Sequence, residues 1–156
     1  MIKLTRIDDR LVHGQVAFTW VPSLGADCLI VANDKVAKDE FLKMTLNLAK
    51  PASAKLLIKS LADTVTFLND PRSHPLKILV IVNSVKDAAA LASEVKDILS
   101  VNFGGIRTKE GTRSISKAIA VTDEDISVIK EMLAKGLELE VRQVPTDKKI
   151  LIETLI

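Results

Sequence analysis

Two arginines, two aspartates and one of the chain's two histidines fall within ten residues, Arg6-Ile7-Asp8-Asp9-Arg10-Leu11-Val12-His13-Gly14-Gln15. Neutral imidazole is a nucleophile near pH 7, because its unperturbed pKa is about 6.5. A guanidinium offers a planar fork of donors that matches phosphoryl oxygens. A helix beginning just after Gly14 would aim free backbone N–H groups at the same place. Nucleophile, counter-charge and anion cradle would then share one loop. The chemistry they suit is phosphoryl transfer through His13. A solvated turn with surface ion pairs has the same composition, and each such pair contributes little. Composition alone leaves both readings open.

A second segment, Asn102-Phe103-Gly104-Gly105-Ile106-Arg107-Thr108-Lys109-Glu110-Gly111-Thr112-Arg113, combines a glycine pair with three basic residues. Paired glycines allow a tight turn, or a close approach of backbone to a phosphate or a partner. No Gly-Lys-Ser/Thr follows at P-loop spacing, and no Gly-x-Gly-x-x-Gly fingerprint is present. Phe103, Gly104, Gly105, Arg107, Lys109 and Arg113 are candidates for partner docking, with an ordinary solvated loop as the alternative. Metal ligation is poorly supported: Asp8, Asp9 and His13 could ligate, but Arg6 and Arg10 stand close by to pair with the aspartates. His74, between Ser73 and Pro75 in a turn, needs no role. The single cysteine, Cys28, sits in an apolar run and reads as a small core residue.

These loops must be positioned by the elements around them. Strand-like apolar runs at Lys3–Ile7, Cys28–Ala32, Leu56–Lys59, Ile78–Val82, Ile98–Asn102, Ile115–Val121 and Leu139–Val144 alternate with stretches of helical period. The helical stretches lie near Gln15–Ser23, Lys38–Leu48, Ser60–Leu68, Val85–Val95, Asp123–Ala134 and Asp147–Thr154. Acidic residues after Thr122 mark a helix start, and Gly136 is placed to cap that helix's end. The alternation predicts an α/β fold: a single open, mostly parallel β-sheet with helices on both faces. Residues 1–156 read as one domain, without repeat or linker. In such a sheet, ligands bind beyond the carboxyl ends of the strands, where both loops would lie.

Composition excludes several classes. Lys and Arg number 22 against 20 Asp and Glu, too small an excess to mark a nucleic-acid surface. Four Phe, one Trp and no Tyr make a base-stacking platform or an aromatic sugar site a poor fit. Apolar runs are far shorter than a membrane span, and the N-terminus lacks a signal core, which predicts a soluble protein of a reducing compartment. Two rival functions share the fold. A response-regulator receiver would need a phosphoacceptor aspartate after the third strand, where Lys59-Ser60 stands instead. A small-ligand binding module could use the same crevice without phosphorylation.

The segment from Arg6 to Val16, with Trp20 just downstream, resembles the N-terminal signature of the IIB proteins of the mannose–fructose–sorbose family of bacterial sugar phosphotransferase systems. Chain length, strand–helix order and the Asn-x-Gly-Gly segment at 102–105 fit the same family. Val12 stands where isoleucine is common, a conservative change. The resemblance implies a relay in which His13 accepts a phosphoryl group from a phosphohistidine on a IIA protein. His13 then passes it to a sugar entering through the membrane subunits IIC and IID. It implies that Arg10 steadies the group in transfer, while Arg6, Asp8, Asp9, Gly14 and Gln15 support the loop. No cofactor or metal is implied, and the expected place is the cytoplasm, against the inner face of the membrane. Which sugar is carried, which imidazole nitrogen reacts and whether the chain forms a homodimer are left open.

Overall fold

Continuous runs of branched apolar residues suit strands covered on both faces, and they make the centre of this sheet. In the computed structural model, all 156 residues are described except for the side chain of Gln15. Strands β2 (Cys28–Ala32) and β4 (Ile78–Val82) are buried along their whole length. With β1 (Ile2–Asp8), β3 (Lys55–Lys59), β5 (Ser100–Gly105), β8 (Glu138–Val141) and β9 (Ile150–Leu151) they form a seven-stranded sheet in the order β3-β2-β4-β1-β5-β8-β9. Every pairing is parallel except β8 with β9. Residues β6 (Arg113–Ser114) and β7 (Ala120–Val121) make a separate two-stranded antiparallel ribbon.

The helices divide between the two faces as the alternation requires. Val16, Ala17, Trp20 and Val21 of α1 (Gly14–Leu24) and Leu46 of α2 (Glu40–Ala49) pack on one face, against Leu4, Leu29, Val31, Leu79 and Ile81. On the other, Ile7, Ile30, Val80 and Phe103 meet residues of α3 (Leu61–Asn69), α4 (Val85–Glu94) and α5 (Asp123–Ala134). Three of these helices start on a serine or threonine whose hydroxyl accepts an N–H of the first turn: Ser60, Ser84 and Thr122. Gly136, at φ +90°, turns the chain out of α5: its N–H donates to the Leu133 carbonyl and that of Leu137 to Met132. That pair of bonds is the Schellman closure, which favours glycine because a side chain strains the left-handed conformation.

Three expectations are corrected. The strand expected at Ile98–Asn102 is β5, Ser100–Gly105, so Asn102 to Gly105 are strand and not loop. They pair with β1, Arg6 opposite Asn102 and Asp8 opposite Gly105. The strand expected over Ile115–Val121 is broken: only Ala120–Val121 is extended, and the chain turns back between it and Arg113–Ser114. No α-helix covers Asp147–Thr154. The Asp147 carboxylate accepts the N–H groups of Gln143 and Val144, which folds a turn ahead of β9 and a single 3-10 turn at Ile152–Thr154. Among the described residues, no helix is long and apolar enough to cross a membrane.

Candidate active site

β1 lies between β4 and β5, and its carboxyl end delivers the Arg6–His13 loop to the centre of the sheet edge. Arg6 and Asp8, two residues apart on a strand, face the same side. Their side chains are 2% and 1% exposed. Nη2 of Arg6 donates to Oδ2 of Asp8 at 3.2 Å and to the Gln143 carbonyl at 3.2 Å. Its Nη1 donates to Oδ1 of Asn102 at 2.8 Å and to the Arg142 carbonyl at 3.1 Å. Burial pushes the Arg6 guanidinium below its usual pKa, while Asp8 and then Glu140 pull it back. Gly104 makes room for this arrangement. A Cβ there would stand 2.0 Å from Cζ of Arg6, so any side chain would evict the guanidinium.

The loop is fixed from below and within. Leu11 and Val12 are buried under it in the α1-side core. The Asp9 N–H donates to the Gly105 carbonyl, that of Leu11 to the Asp8 carbonyl, and that of Arg10 to Oδ1 of Asp8. Among the described residues Leu11 alone combines a side chain with positive φ, at +59°, so the fold holds a conformation that an L residue ordinarily avoids. The turn brings His13 back over Asp8, and its Nε2 lies 3.0 Å from Oδ2. The Asp8 carboxylate has only acceptor capacity when ionised, so it selects the ring tautomer with the proton on Nε2. Nδ1 then keeps its lone pair, and among the described residues it has no partner. The imidazole is 19% exposed, enough for another molecule to reach one edge of the ring.

His13 is also the N-cap residue of α1, with extended backbone and no side-chain bond to the helix. The first turn of α1 contains no acidic residue to occupy its free N–H groups. Among the described residues nothing caps its positive end, which suits an anion beside His13. Arg10 is exposed, and its guanidinium has no hydrogen-bond or ion-pair partner among the described residues. Gly14 opens the helix, with free space where a side chain would stand. Gln15 follows in the first turn, and its side chain lies outside the described residues.

The remaining candidates separate. Asp9 does not pair with Arg10: it holds Arg107, accepting from the backbone N–H at 2.9 Å and from Nε at 3.1 Å. That bond ties the second segment to the first. Phe103 was expected to offer docking surface, but it is wholly buried in the core, because β5 continues through it. Gly104 is likewise buried, beneath Arg6, and only Gly105 reaches the site surface. Lys109 and Arg113 are exposed on the far arm. Arg10, Arg107, Gly105, Lys117 and Gln143 line a cleft of about 380 Å³ between the two segments. His74 lies on the turn before β4, at the opposite end of the strands, with Asp97 4.0 Å away. That carboxylate was not foreseen.

Several residues of the site escape a reading of local motifs. Both oxygens of Glu140 take the Arg142 guanidinium, at 3.0 and 2.8 Å, and its Oε1 also accepts from Nδ2 of Asn102 at 3.1 Å. The fork on Glu140 raises the Arg142 pKa. The guanidinium carbons of Arg6 and Arg142 lie 5.2 and 5.1 Å from the centroid of Trp20. The indole N–H donates to the Gln143 carbonyl at 3.0 Å. One signal was available: in Leu139-Glu140-Val141-Arg142 the apolar and charged residues alternate, which sets two opposite charges on one side of the chain where they can pair.

A tautomer-fixed imidazole, an open helix N-terminus and an unpaired arginine suit the transfer of an anionic group to and from a nitrogen nucleophile. The comparisons with known proteins agree. Residues 2–156 match the family described as "PTS system sorbose subfamily IIB component". The chain is 41% identical to a probable phosphotransferase enzyme IIB component of Streptococcus pyogenes serotype M6, over all of this chain and 99% of that one. It is 34% identical over its whole length to the mannose-specific EIIAB component of Escherichia coli K12, of which it spans 48%. The crystal structure of the IIBSor domain of the sorbose permease from Klebsiella pneumoniae superposes with a TM-score of 0.92 at 30% identity, covering 97% of this chain and 93% of that one.

Proposed function

The chain belongs to the sorbose subfamily of phosphotransferase-system IIB components and is thus a phosphotransferase, and from that premise we propose that His13 carries the phosphoryl group on Nδ1. The observation that supports this most is the bond from His13 Nε2 to the buried Asp8, which leaves Nδ1 as the free nucleophile. The whole chain acts as one relay domain. In the first step the Nδ1 lone pair attacks the phosphorus of a phosphohistidine on a IIA protein. The donor's N–P bond breaks, its electron pair returns to the donor imidazole, and a new N–P bond forms on His13.

The phosphorylated ring keeps its Nε2 proton and so carries positive charge, which Asp8 stabilises. Transfer of this kind asks for in-line alignment and for positive charge around the equatorial oxygens, with little covalent help. Arg10 and the first N–H groups of α1 supply that charge. In the second step a sugar hydroxyl attacks the phosphorus, an O–P bond forms, the N–P pair returns to Nδ1, and the hydroxyl proton passes to water. Exchange between two imidazoles is nearly balanced in energy, so the first step is reversible.

The site is open on one side, as it must be to meet two proteins in turn at the cytoplasmic face of the membrane. It lacks the water-excluding enclosure a sugar kinase needs. Purified phosphorylated protein is expected to leave free sugars untouched until membrane vesicles containing IIC and IID are added. Sugar phosphate formed at full rate by the protein alone would replace the relay reading.

Arg107, Lys109 and Arg113 serve as docking charges for an acidic face of the IIA donor. Arg107 is held in place by Asp9 and the other two are exposed. Neutralising all three should lower the association rate several-fold at low salt and much less at high salt, since exposed charges act through a screened field. An association rate with the parent's salt dependence would remove them from the interface.

A further inference from the structure

We propose that Glu140 is a positioning residue for His13, acting through Asn102, Arg6 and Asp8; the catalytic part of this inference rests on His13 being the phosphorylated residue. Glu140 is 2% exposed. Buried ion pairs are commonly no more stabilising than apolar side chains of the same volume, so the need for a fold alone does not explain a charge here. Besides the fork on Arg142, one line of contacts runs from Glu140 to His13. Glu140 Oε1 accepts from Asn102 Nδ2 at 3.1 Å, and Asn102 Oδ1 accepts from Arg6 Nη1 at 2.8 Å. Arg6 Nη2 donates to Asp8 Oδ2 at 3.2 Å, and that oxygen lies 3.0 Å from His13 Nε2.

The order of residue types is fixed by their chemistry. Arginine can only donate and an ionised glutamate can only accept. An amide has one end of each kind, so Asn102 fits between them in a single orientation. Reversal would set its NH₂ group against Arg6 and its oxygen against the Glu140 carboxylate.

The geometry of Arg6 gives the chain its purpose. A guanidinium beside a lone carboxylate tends to take both oxygens in a fork. Glu140 does hold Arg142 that way. Arg6 meets Asp8 through one nitrogen only, and its shorter bond is to Asn102. Drawn toward the Asn102–Glu140 side, Arg6 shares Asp8 Oδ2 with His13 through a single nitrogen and leaves Oδ1 to the Arg10 N–H. Without the Glu140 charge, Arg6 closes its fork over both oxygens of Asp8, displaces the Arg10 N–H from Oδ1 and turns the carboxylate, so Oδ2 no longer stands where it orients the imidazole.

The test is Glu140→Gln in the full chain, read two ways. In single-turnover phosphorylation by the phosphorylated IIA donor, the rate at saturating donor should fall about tenfold, while half-saturation stays within twofold. In ¹⁵N-resolved NMR without any donor, the His13 Nε2 proton should exchange slowly in the parent and be broadened away in the variant. That second reading decides the positioning even if phosphorylation at His13 fails. Should Glu140→Gln not fold, the pair Glu140→Gln with Arg142→Gln removes both charges of the fork together. Asn102→Ser breaks the chain with both charges in place, and either should give the same two changes. A folded variant with the parent's rate and the parent's Nε2 proton exchange would overturn the proposal. Lowered stability alone, with both readings unmoved, would make Glu140 merely structural.

Discussion

Replacing Asp8 with asparagine is expected to weaken the fold by about 3 kcal/mol and to slow phosphoryl transfer by about 10³-fold or more. The stability loss follows from burial. Arg6 is 2% exposed and would lose its only carboxylate contact, keeping an amide oxygen and two carbonyls for a full charge. The rate loss follows from the tautomer. Asp8 takes donors from three groups, Arg6, the Arg10 N–H and His13. An amide cannot accept on both atoms, so its NH₂ group faces either the imidazole or donors that repel it. Facing the imidazole, it moves the ring proton to Nδ1, onto the atom that must attack. Urea unfolding followed by fluorescence reads the stability, since the one tryptophan, Trp20, lies beside Arg6. An unchanged midpoint and slope, or transfer within tenfold of the parent, would show that Asp8 does not organise the site.

Arg10→Lys should leave stability within about 0.5 kcal/mol of the parent, because the side chain is exposed and unpaired. Its effect should fall on the transfer step, at about 2–4 kcal/mol of barrier if the guanidinium stabilises charge on the phosphoryl oxygens. Lysine keeps the charge but loses the planar fork that can hold two oxygens at once. Quench-flow measurement of phosphoryl transfer from the IIA donor separates the two terms. Rates within twofold of the parent would reduce Arg10 to a surface charge.

The fold class and the grouping of the candidate residues around His13 were legible because both rest on local information. Strand and helix periods come from neighbours along the chain, and the loop's residue types come from the chemistry they serve. His13, Arg10, Asp8 and Arg6 were read in this way; Arg6 and Asp8 close strand β1, and His13 and the Arg10 N–H come back to Asp8 from the loop that follows. Their partners were not legible, because the bonds span large separations: Arg6 to Asn102 crosses 96 positions and Trp20 to Gln143 crosses 123. Arg6 and Arg10 stood close by in sequence to pair with the aspartates, yet Asp9 is found on Arg107, 98 positions away, for the same reason. Phe103 was misplaced through a boundary. The glycine pair looked like a turn, whereas Gly104 lies within β5 because Arg6 occupies the space of its side chain. Glycine in a strand marks a close approach as often as a turn, and only the partner strand tells which. The C-terminal segment failed as a helix because Asp147 bonds backward to Gln143 and Val144.

Intact mass spectrometry shows whether His13 alone carries the phosphoryl group. The protein would be incubated with phosphoenolpyruvate, the general phosphotransferase proteins and a IIA donor, beside His13→Ala and His74→Ala. His74 is the only other histidine and stands at the far end of the strands, which makes it the natural control. The parent and His74→Ala should each gain one acid-labile phosphoryl group, and His13→Ala none. Phosphorylation that persists in His13→Ala would contradict the account.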